Sequence, residues 1–291
     1  MKKKITIITL VAVLALAMFA FTACDDNGNG GENVQLGYVN WAEGVAMNYL
    51  VHAILEDEMG YNVDSTMADV GPIFSSLATG DYDAFVDAWL PVTHEEYMEE
   101  FGEDVADLGY NFEGARIGLV VPAYVDIDSI EEMNDAADQF DSEIIGIGPG
   151  AGIMTATGNA IDTYGLDYTL IESSDPVMAA TLSEAIENEE WVVVTGWEPH
   201  WKFAEWDLKF LDDPEGVYGA VENVHTVARQ DLADDMPEVA EFLENFYMDS
   251  EQLGDLMGAI EEQQDDMDVL DIAREWMEDN RDLVESWLPE E

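Results

Sequence analysis

Three tryptophans lie in short sequence contexts that are typical of a ligand site. Trp41, Trp89 and Trp197 each come near the end of an apolar run and close to a polar residue, a glycine or a proline. Such positions predict the end of a strand and the start of a loop, where α/β proteins place their ligands. The face of an indole ring attracts cations, above all a quaternary ammonium, which cannot donate a hydrogen bond. Three such indoles predict a cage for an organic cation.

A glycine-rich loop offers the opposite chemistry. Residues 144–153 read Ile-Ile-Gly-Ile-Gly-Pro-Gly-Ala-Gly-Ile, a predicted strand followed by a loop that opens a predicted helix. The first backbone N–H groups of a helix favour a carboxylate or a phosphate. We therefore expect the amides of Gly152 and Ile153 to face an anionic group. The alternative is a glycine-rich turn that binds nothing.

The same loop formally matches a dinucleotide-binding fingerprint. Gly146, Gly148 and Ala151 have its spacing, and Asp167 follows about 20 residues after the first glycine. The predicted strand runs through Gly146, however, so the tight turn falls later than the fingerprint requires. A nucleotide-dependent oxidoreductase that binds NAD stays open as an alternative function of a different class.

His94 follows Trp89 by five residues and is a candidate second donor to a carboxylate. Taken alone, such a histidine is more often a surface or capping residue. Together, the indole cage, the glycine loop and His94 describe a zwitterion with a quaternary ammonium at one end and a carboxylate at the other. The sequence contains no histidine pair with metal-ligand spacing and no nucleophile elbow. We expect neither catalytic residues nor a metal or cofactor.

Strands and helices alternate along the chain, which predicts parallel βαβ units and an α/β fold of two lobes around a cleft. The predicted strands cover residues 34–39, 62–67, 84–89, 116–121, 144–147, 166–171, 191–195 and 208–211. The predicted helices cover residues 43–59, 70–79, 130–137, 153–164 and 175–188, and a helical tail runs from 232 to 287 in at least three pieces. Ser129 and Glu132 predict a capping box at the start of the third helix.

The first residues have the pattern of an export signal. Three lysines precede an apolar run from Ile5 to Phe21, and Thr-Ala-Cys follows. Cys24 is the only cysteine, so no disulfide is expected. The pattern resembles a bacterial lipoprotein signal: it predicts removal of residues 1–23, a lipid on Cys24, a flexible tether over 24–33 and a place on the outer face of the cytoplasmic membrane. A plain signal peptide or a membrane anchor helix is the alternative.

The chain is strongly acidic. It has 65 Asp and Glu against 9 Lys and Arg, a formal charge of −56. This charge excludes nucleic acid as a partner, because binding it requires cations that neutralise phosphates. The acidity is spread along the chain and predicts a well-solvated surface. We hypothesise a salt-rich habitat.

Five motifs in order give the chain a resemblance to a known family. The motifs are Gly-Tyr-Val-Asn-Trp at 37–41, Ala-Trp-Leu-Pro-Val-Thr-His at 88–94, Gly-Leu-Val-Val-Pro at 118–122, Gly-Pro-Gly-Ala-Gly-Ile-Met at 148–154 and Thr-Gly-Trp-Glu-Pro-His-Trp at 195–201. From about residue 34 to 288 the chain resembles the substrate-binding proteins of glycine betaine ABC transporters, the OpuAC-like or ProX-like family. The resemblance implies a trimethylammonium box of Trp41, Trp89 and Trp197. It also implies a carboxylate held by the amides of Gly152 and Ile153 and by His94.

The resemblance further implies the architecture and the partners. The family fold is the type II periplasmic-binding-protein fold, in which two hinged lobes close on the ligand. The first lobe would comprise residues 34–122 plus 221–291, and the second residues 123–220. The implied function is that of a monomeric, extracytoplasmic lipoprotein without a cofactor, which delivers glycine betaine or proline betaine to an ABC permease for osmoprotection. Carnitine and choline stay open as ligands, and an adhesion or scaffold lipoprotein is a further alternative.

Overall fold

The computed structural model of the protein describes residues 31–289. The predicted signal segment, the lipidation prediction at Cys24 and most of the predicted tether lie outside the described residues. Within residues 31–289, no helix has both the length and the apolar character needed to cross a membrane.

The bounds of the strands in residues 31–289 are β1 Asn33–Tyr38, β2 Asn62–Met67, β3 Ala84–Leu90, β4 Val105–Pro122, β5 Glu143–Ile145, β6 Thr169–Ile171, β7 Val194–Glu198, β8 Leu208–Phe210 and β9 Glu222–Arg229. These strands pair in the order β2-β1-β3-β9-β4-β7-β5-β6, with β8 also paired to β4. Strand β4 is 18 residues long and belongs to two sheets. Its residues 105–115 pair with β9, and its residues 116–122 pair with β7 and β8. We call β1, β2, β3, β9 and residues 105–115 the first sheet, and the remaining strands with residues 116–122 the second sheet.

Helices connect and cover these strands. Their bounds are α1 Ala42–Asp57, α2 Val70–Thr79, α3 Glu95–Phe101, a 3-10 helix Ile130–Phe140, α4 Gly152–Tyr164, α5 Asp175–Asn188, α6 Lys202–Glu205, α7 Leu232–Asp235, α8 Pro237–Asn245, α9 Ser250–Gln263, α10 Val269–Asp279 and α11 Arg281–Glu285. Helix α1 packs against β1, β2 and β3 on one side and against α9 and α10 on the other. Most of this helix is therefore buried, with Ala46, Leu50 and Ile54 fully inaccessible. This packing fixes the position of its first turn, which begins directly after Trp41.

The α/β alternation is confirmed, and several predicted elements have the bounds found in the structure. Strand β2 and helices α2 and α5 agree to the residue with the prediction, and the capping box of Ser129 and Glu132 is present. The parallel units are also present, since β1 pairs in parallel with both β2 and β3, and β5 with both β6 and β7.

Other predicted elements were wrong in extent or type. Residues 105–115 carry no clean alternation because Gly109 and Gly114 have positive φ and the register shifts three times along this stretch, so the strand was missed. Antiparallel pairs join β3, β9, β4 and β7 at the centre, which the expectation of parallel units did not include. Strand β7 covers residues 194–198 instead of 191–195, and the helix after Ser129 is of the 3-10 type.

Candidate functional site

The six residues predicted to bind a ligand line one small cavity. It has about 270 Å³ of space free of protein atoms, part of which is open to solvent. Its further lining comes from Glu43, Thr93, Ile117, Ile147 and Ala151. Both sheets contribute to the walls, and the three indoles are almost fully buried, with exposed fractions of 8, 3 and 3% for Trp41, Trp89 and Trp197. The structure thus brings the predicted residues together, while their role in binding stays a prediction.

Trp41 is positioned by the junction between β1 and α1. It occupies the residue before the first turn of α1, in an extended conformation, and its carbonyl accepts a hydrogen bond from the Val45 amide at 2.8 Å. Its ring stacks on the His94 imidazole, with centroids 5.8 Å apart and planes 23° from parallel. The first cage residue therefore also contacts the histidine that was predicted to serve the other end of the ligand.

Trp89 and His94 fix each other through the turn between them. The Trp89 amide donates to Nδ1 of His94 at 2.9 Å, and the His94 amide donates to the Trp89 carbonyl at 2.9 Å. The indole N–H of Trp89 donates to Oδ1 of Asp87 at 2.8 Å. Since Asp87 and Trp89 are two residues apart in β3, they point to the same face of the strand.

Trp197 completes the cage from the second sheet. It lies in β7 opposite Ile117 of β4. Its indole N–H donates to Oε2 of Glu43 at 2.8 Å, a bond that joins β7 to the first turn of α1. The Lys202 ammonium lies 3.9 Å from the centroid of the Trp197 ring. The cavity lining does not include Lys202, so this cation serves the packing of the ring outside the cavity.

The glycine loop meets the cage where α4 begins. Gly152 and Ile153 are the first two residues of this helix. Their amides have no hydrogen-bond acceptor among the described residues, as expected for the first turn of a helix. A side chain at Gly152 would overlap the Thr93 carbonyl, so only glycine allows the two segments to approach this closely. The Tyr97 hydroxyl donates to the Gly150 carbonyl at 2.8 Å and joins α3 to the same loop.

His94 is a neutral donor whose second nitrogen is free. Because Nδ1 accepts the Trp89 amide proton, the ring proton must reside on Nε2. Nε2 is buried without a partner among the described residues. Burial lowers the pKa of His94 to about 3, so the ring stays uncharged at neutral pH. An uncompensated buried N–H is costly, and a ligand carboxylate would remove that cost.

Buried ionisable groups surround the cage. Burial raises the pKa of Glu43 well above its usual value, and the nearby charge of Asp87 adds to this effect. Burial raises the pKa of Asp87 to about 8 against the opposing hydrogen bond from Trp89. Burial lowers the pKa of Lys202 to about 8.

Every other Lys and Arg within residues 31–289 forms an ion pair. The Lys202 ammonium has no hydrogen-bond partner among those residues, which makes its place beside Trp197 exceptional.

Sequence reasoning missed Glu43, Asp87 and Lys202. One signal was available for Asp87, since a lone acid inside the apolar strand Ala84–Leu90 needs a buried partner. No comparable signal existed for Glu43, which stands in an acidic chain with 65 such side chains. Its role depends on a contact with Trp197, 154 residues away.

The cavity lining combines two kinds of chemical group. Three indoles and the buried carboxyl group of Glu43 favour a cation. The His94 N–H and the amides of Gly152 and Ile153 favour a carboxylate. The side chains of Ile117 and Ile147 also line the cavity. A small ligand suits this arrangement better than a dinucleotide, which needs a much larger site.

Comparison with known proteins gives concordant results. Residues 32–279 match the family described as the substrate binding domain of ABC-type glycine betaine transport system. The glycine betaine/carnitine transport binding protein GbuC of Listeria monocytogenes is 43% identical over 156 residues, which are 53% of this chain. This match spans only 51%, about half, of the length of GbuC.

Two solved structures cover nearly the whole described chain. One is the glycine betaine, L-proline ABC transporter binding protein ProX of Borrelia burgdorferi, at 36% identity and a TM-score of 0.85, covering 89% of this chain and 97% of that one. The other is lactococcal OpuAC in its closed-liganded conformation with glycine betaine, at 35% identity and a TM-score of 0.83, covering 89% of this chain and 100% of that one. These matches confirm the two-lobed α/β binding-protein fold. The chain therefore belongs to the family of substrate-binding domains of ABC-type glycine betaine transport systems.

Proposed function

We propose that this protein binds glycine betaine, or a closely related betaine, outside the cytoplasmic membrane and delivers it to an ABC permease. One observation carries the proposal: three indole rings and an unpartnered histidine N–H line the same small cavity. Cation–π attraction in such a desolvated site contributes about 2 kcal/mol for a ring in good geometry. The protein acts as a binding protein and not as an enzyme.

The relatives support this ligand class. The name of GbuC gives glycine betaine and carnitine, and the lactococcal structure is a complex with glycine betaine. The same class suits this chain because a betaine has zero net charge. A ligand without net charge is not repelled by a protein of charge −56.

The carboxylate end of the site favours betaines over choline. Choline carries the same trimethylammonium group but has no carboxylate, so it would leave the His94 Nε2–H and the amides of Gly152 and Ile153 unpaired. Leaving a buried donor unpaired costs about 1–3 kcal/mol. Carnitine and proline betaine keep a carboxylate and are alternative ligands within the same class.

The proposed lobes would make binding and closure one event. With the first lobe at residues 34–122 plus 221–291 and the second at 123–220, Trp41, Trp89 and His94 face Trp197 and the glycine loop across the cleft. Each end of the ligand then contacts both lobes, so the ligand binds the closed state preferentially and shifts the population toward it.

The proposed location follows from the N-terminal sequence. A lipid on Cys24 after removal of residues 1–23 would hold the domain on the outer face of the cytoplasmic membrane, and residues 24–33 would give it reach. Metabolic labelling with a fatty acid tests this part: the native chain should incorporate the label and the Cys24→Ser variant should not.

A competition experiment tests the ligand assignment. The purified protein is loaded with radioisotope-labelled glycine betaine. Unlabelled glycine betaine, proline betaine, carnitine, choline and NAD are then added separately as competitors. We expect displacement by the carboxylate-bearing ligands, weak displacement by choline and none by NAD. Binding of NAD without binding of labelled glycine betaine would instead favour the oxidoreductase alternative, and a failure of every small molecule to bind would favour an adhesion or scaffold role.

A further inference from the structure

Two carboxyl groups lie behind the cage, and the proposed binding of a betaine does not account for them. Glu43 and Asp87 are 1 and 0% exposed. Each accepts the indole N–H of a different cage residue, Glu43 from Trp197 and Asp87 from Trp89, at 2.8 Å in both cases. The pair therefore holds one ring from each sheet.

The two carboxyl groups also affect each other. Oδ2 of Asp87 packs so closely on Gly44 that a side chain there would overlap it, and Gly44 is the neighbour of Glu43 in α1. The same Oδ2 is buried without a hydrogen-bond partner among the described residues. Two neighbouring carboxylates in an enclosed apolar site resist simultaneous ionisation. The pair therefore titrates as a unit and retains a proton that isolated carboxyl groups would have lost.

We propose that Glu43 and Asp87 are positioning residues that share one proton in the empty cage and release it when a quaternary ammonium enters. The inference rests on the proposed function, since it assumes that such a cation binds. The two indole bonds orient the rings, and the ionised pair supplies negative charge beside the ligand's cation. On release, the carboxyl O–H bond breaks, its electrons stay on the oxygen, and the proton passes to the solvent. A nitrogen bonded to four carbons has no proton to give, so the released proton comes from the protein.

Three other buried groups near the cage keep a constant charge in the relevant pH range. Burial lowers the pKa of His94 to about 3 and that of His200 to about 4, so both rings are neutral near pH 7. Burial opposes ionisation of Asp175, but its interactions with His200 and Lys202 outweigh this and lower its pKa. Asp175 is therefore ionised over the whole pH range relevant here.

Lys202 is a neighbour that could release a proton on ligand binding in place of the carboxyl pair. Its ammonium lies on the Trp197 ring, and its pKa is lowered by burial to about 8. Glu198, which also acts on Lys202, is ion-paired with Arg116 at 2.8 Å. An arriving cation would favour proton loss from Lys202 as well, so the experiment must separate the two sources.

Calorimetry of the full chain with glycine betaine, in buffers of different ionisation enthalpy, counts the protons released on binding. We expect release approaching one proton near pH 7. The carboxyl pair has its raised pKa in the empty protein and a lower one in the complex, so affinity increases as pH rises and levels off once the empty pair has lost its proton. The slope is at most about tenfold in affinity per pH unit for one proton.

Variants assign the proton. Glu43→Gln and Asp87→Asn each keep an oxygen that can accept the indole N–H, and they should lose the proton release and flatten the pH profile. Lys202→Met is the matched control, which should retain both. Proton release that survives in the two carboxyl variants and disappears in Lys202→Met would overturn the proposal.

Two measurements on the native protein keep the inference separate from the proposed function and from variant folding. Binding with no proton release and no pH dependence would overturn the inference and leave the proposed function intact. Infrared spectra of the ligand-free protein near pH 7 should contain the carbonyl stretch of a protonated carboxylic acid, whether or not betaine binds. Absence of that band would contradict the shared proton.

Discussion

At the scale of single residues, several side chains of the site have one group that is hydrogen-bonded and another that is free for a ligand. The indole N–H groups of Trp89 and Trp197 are used by Asp87 and Glu43, which leaves the ring faces for a cation. His94 uses Nδ1 for the Trp89 amide and keeps Nε2–H for the cavity. Each of these side chains is thus held by one hydrogen bond and keeps its ring face or its second N–H free for a ligand. A preorganised site holds its groups in this way before the ligand binds.

Replacing Trp89 by alanine should weaken glycine betaine binding by more than tenfold. The variant loses a cation–π interaction of about 2 kcal/mol, and every 1.4 kcal/mol corresponds to a factor of ten. Isothermal calorimetry measures the change. Trp206→Ala, which removes a half-buried indole away from the cavity, serves as the control and should bind as the native protein does. An unchanged affinity of Trp89→Ala would remove this ring from the cage.

Replacing His94 by asparagine should reduce the preference for betaine over choline. The amide oxygen of asparagine can take over the role of Nδ1 as acceptor for the Trp89 amide, whereas the Nε2–H donor is lost. A hydrogen bond to a charged group contributes about 1.5–3 kcal/mol, so glycine betaine affinity should fall by about 10- to 100-fold. Choline affinity should change much less. Equal losses for both ligands would show that His94 does not contact the carboxylate.

At the scale of elements, the site is built where helices begin and strands end. Trp41 precedes α1, and Gly152 and Ile153 open α4. The turn between Trp89 and His94 follows β3 and is held by Glu222 of β9, whose Oε2 accepts the amides of Val92 and Thr93 at 3.0 Å each. Rigid elements thus set the cavity walls, and short turns carry the contacts.

Replacing Gly152 by alanine should impair closure without unfolding the protein. The new methyl group would meet the Thr93 carbonyl across the cleft. Overpacking costs about 1–3 kcal/mol, and since it acts on the closed state, affinity should fall by about 5- to 150-fold. Gly158→Ala lies in the same helix in open space and is the matched control. Small-angle scattering with saturating ligand would show a more open Gly152→Ala variant; equal affinity and equal compaction in both variants would contradict this role.

The elements show what the sequence could and could not predict. Local patterns located α2, α5 and β2 to the residue, because caps, prolines and periodicity act over a few positions. Motifs likewise named six residues that the structure brings to one cavity, and their role in binding stays a prediction. The pairing of Trp197 with Glu43 and the crossing of β4 between two sheets depend on distant contacts, and no local pattern encodes them. The strand over residues 105–115 was also missed, because its shifted register depends on its pairing with the distant strand β9.

At the scale of the whole molecule, the main feature is the large excess of acidic side chains. The chain has a formal charge of −56, and the few cations of residues 31–289 other than Lys202 are used in ion pairs. Repulsion among so many carboxylates keeps a protein soluble but destabilises its compact state. The salt-rich habitat inferred from the sequence stays a hypothesis.

The free energy of unfolding should therefore increase as salt is added. Added ions shorten the range of repulsion between exposed charges from about 30 Å at 0.01 M to about 3 Å at 1 M. Urea unfolding at increasing potassium chloride measures the effect, with sucrose as a control that changes hydration but not screening. Equal stability at the lowest and highest salt would remove the basis for the habitat hypothesis.

We propose that the cavity between the two sheets binds a small betaine. Isothermal calorimetry of the purified protein with glycine betaine at neutral pH tests it most directly. We expect a saturable heat with one ligand per chain, accompanied by an increase in the melting temperature. No heat and no thermal shift at millimolar ligand, with a folded protein, would contradict it.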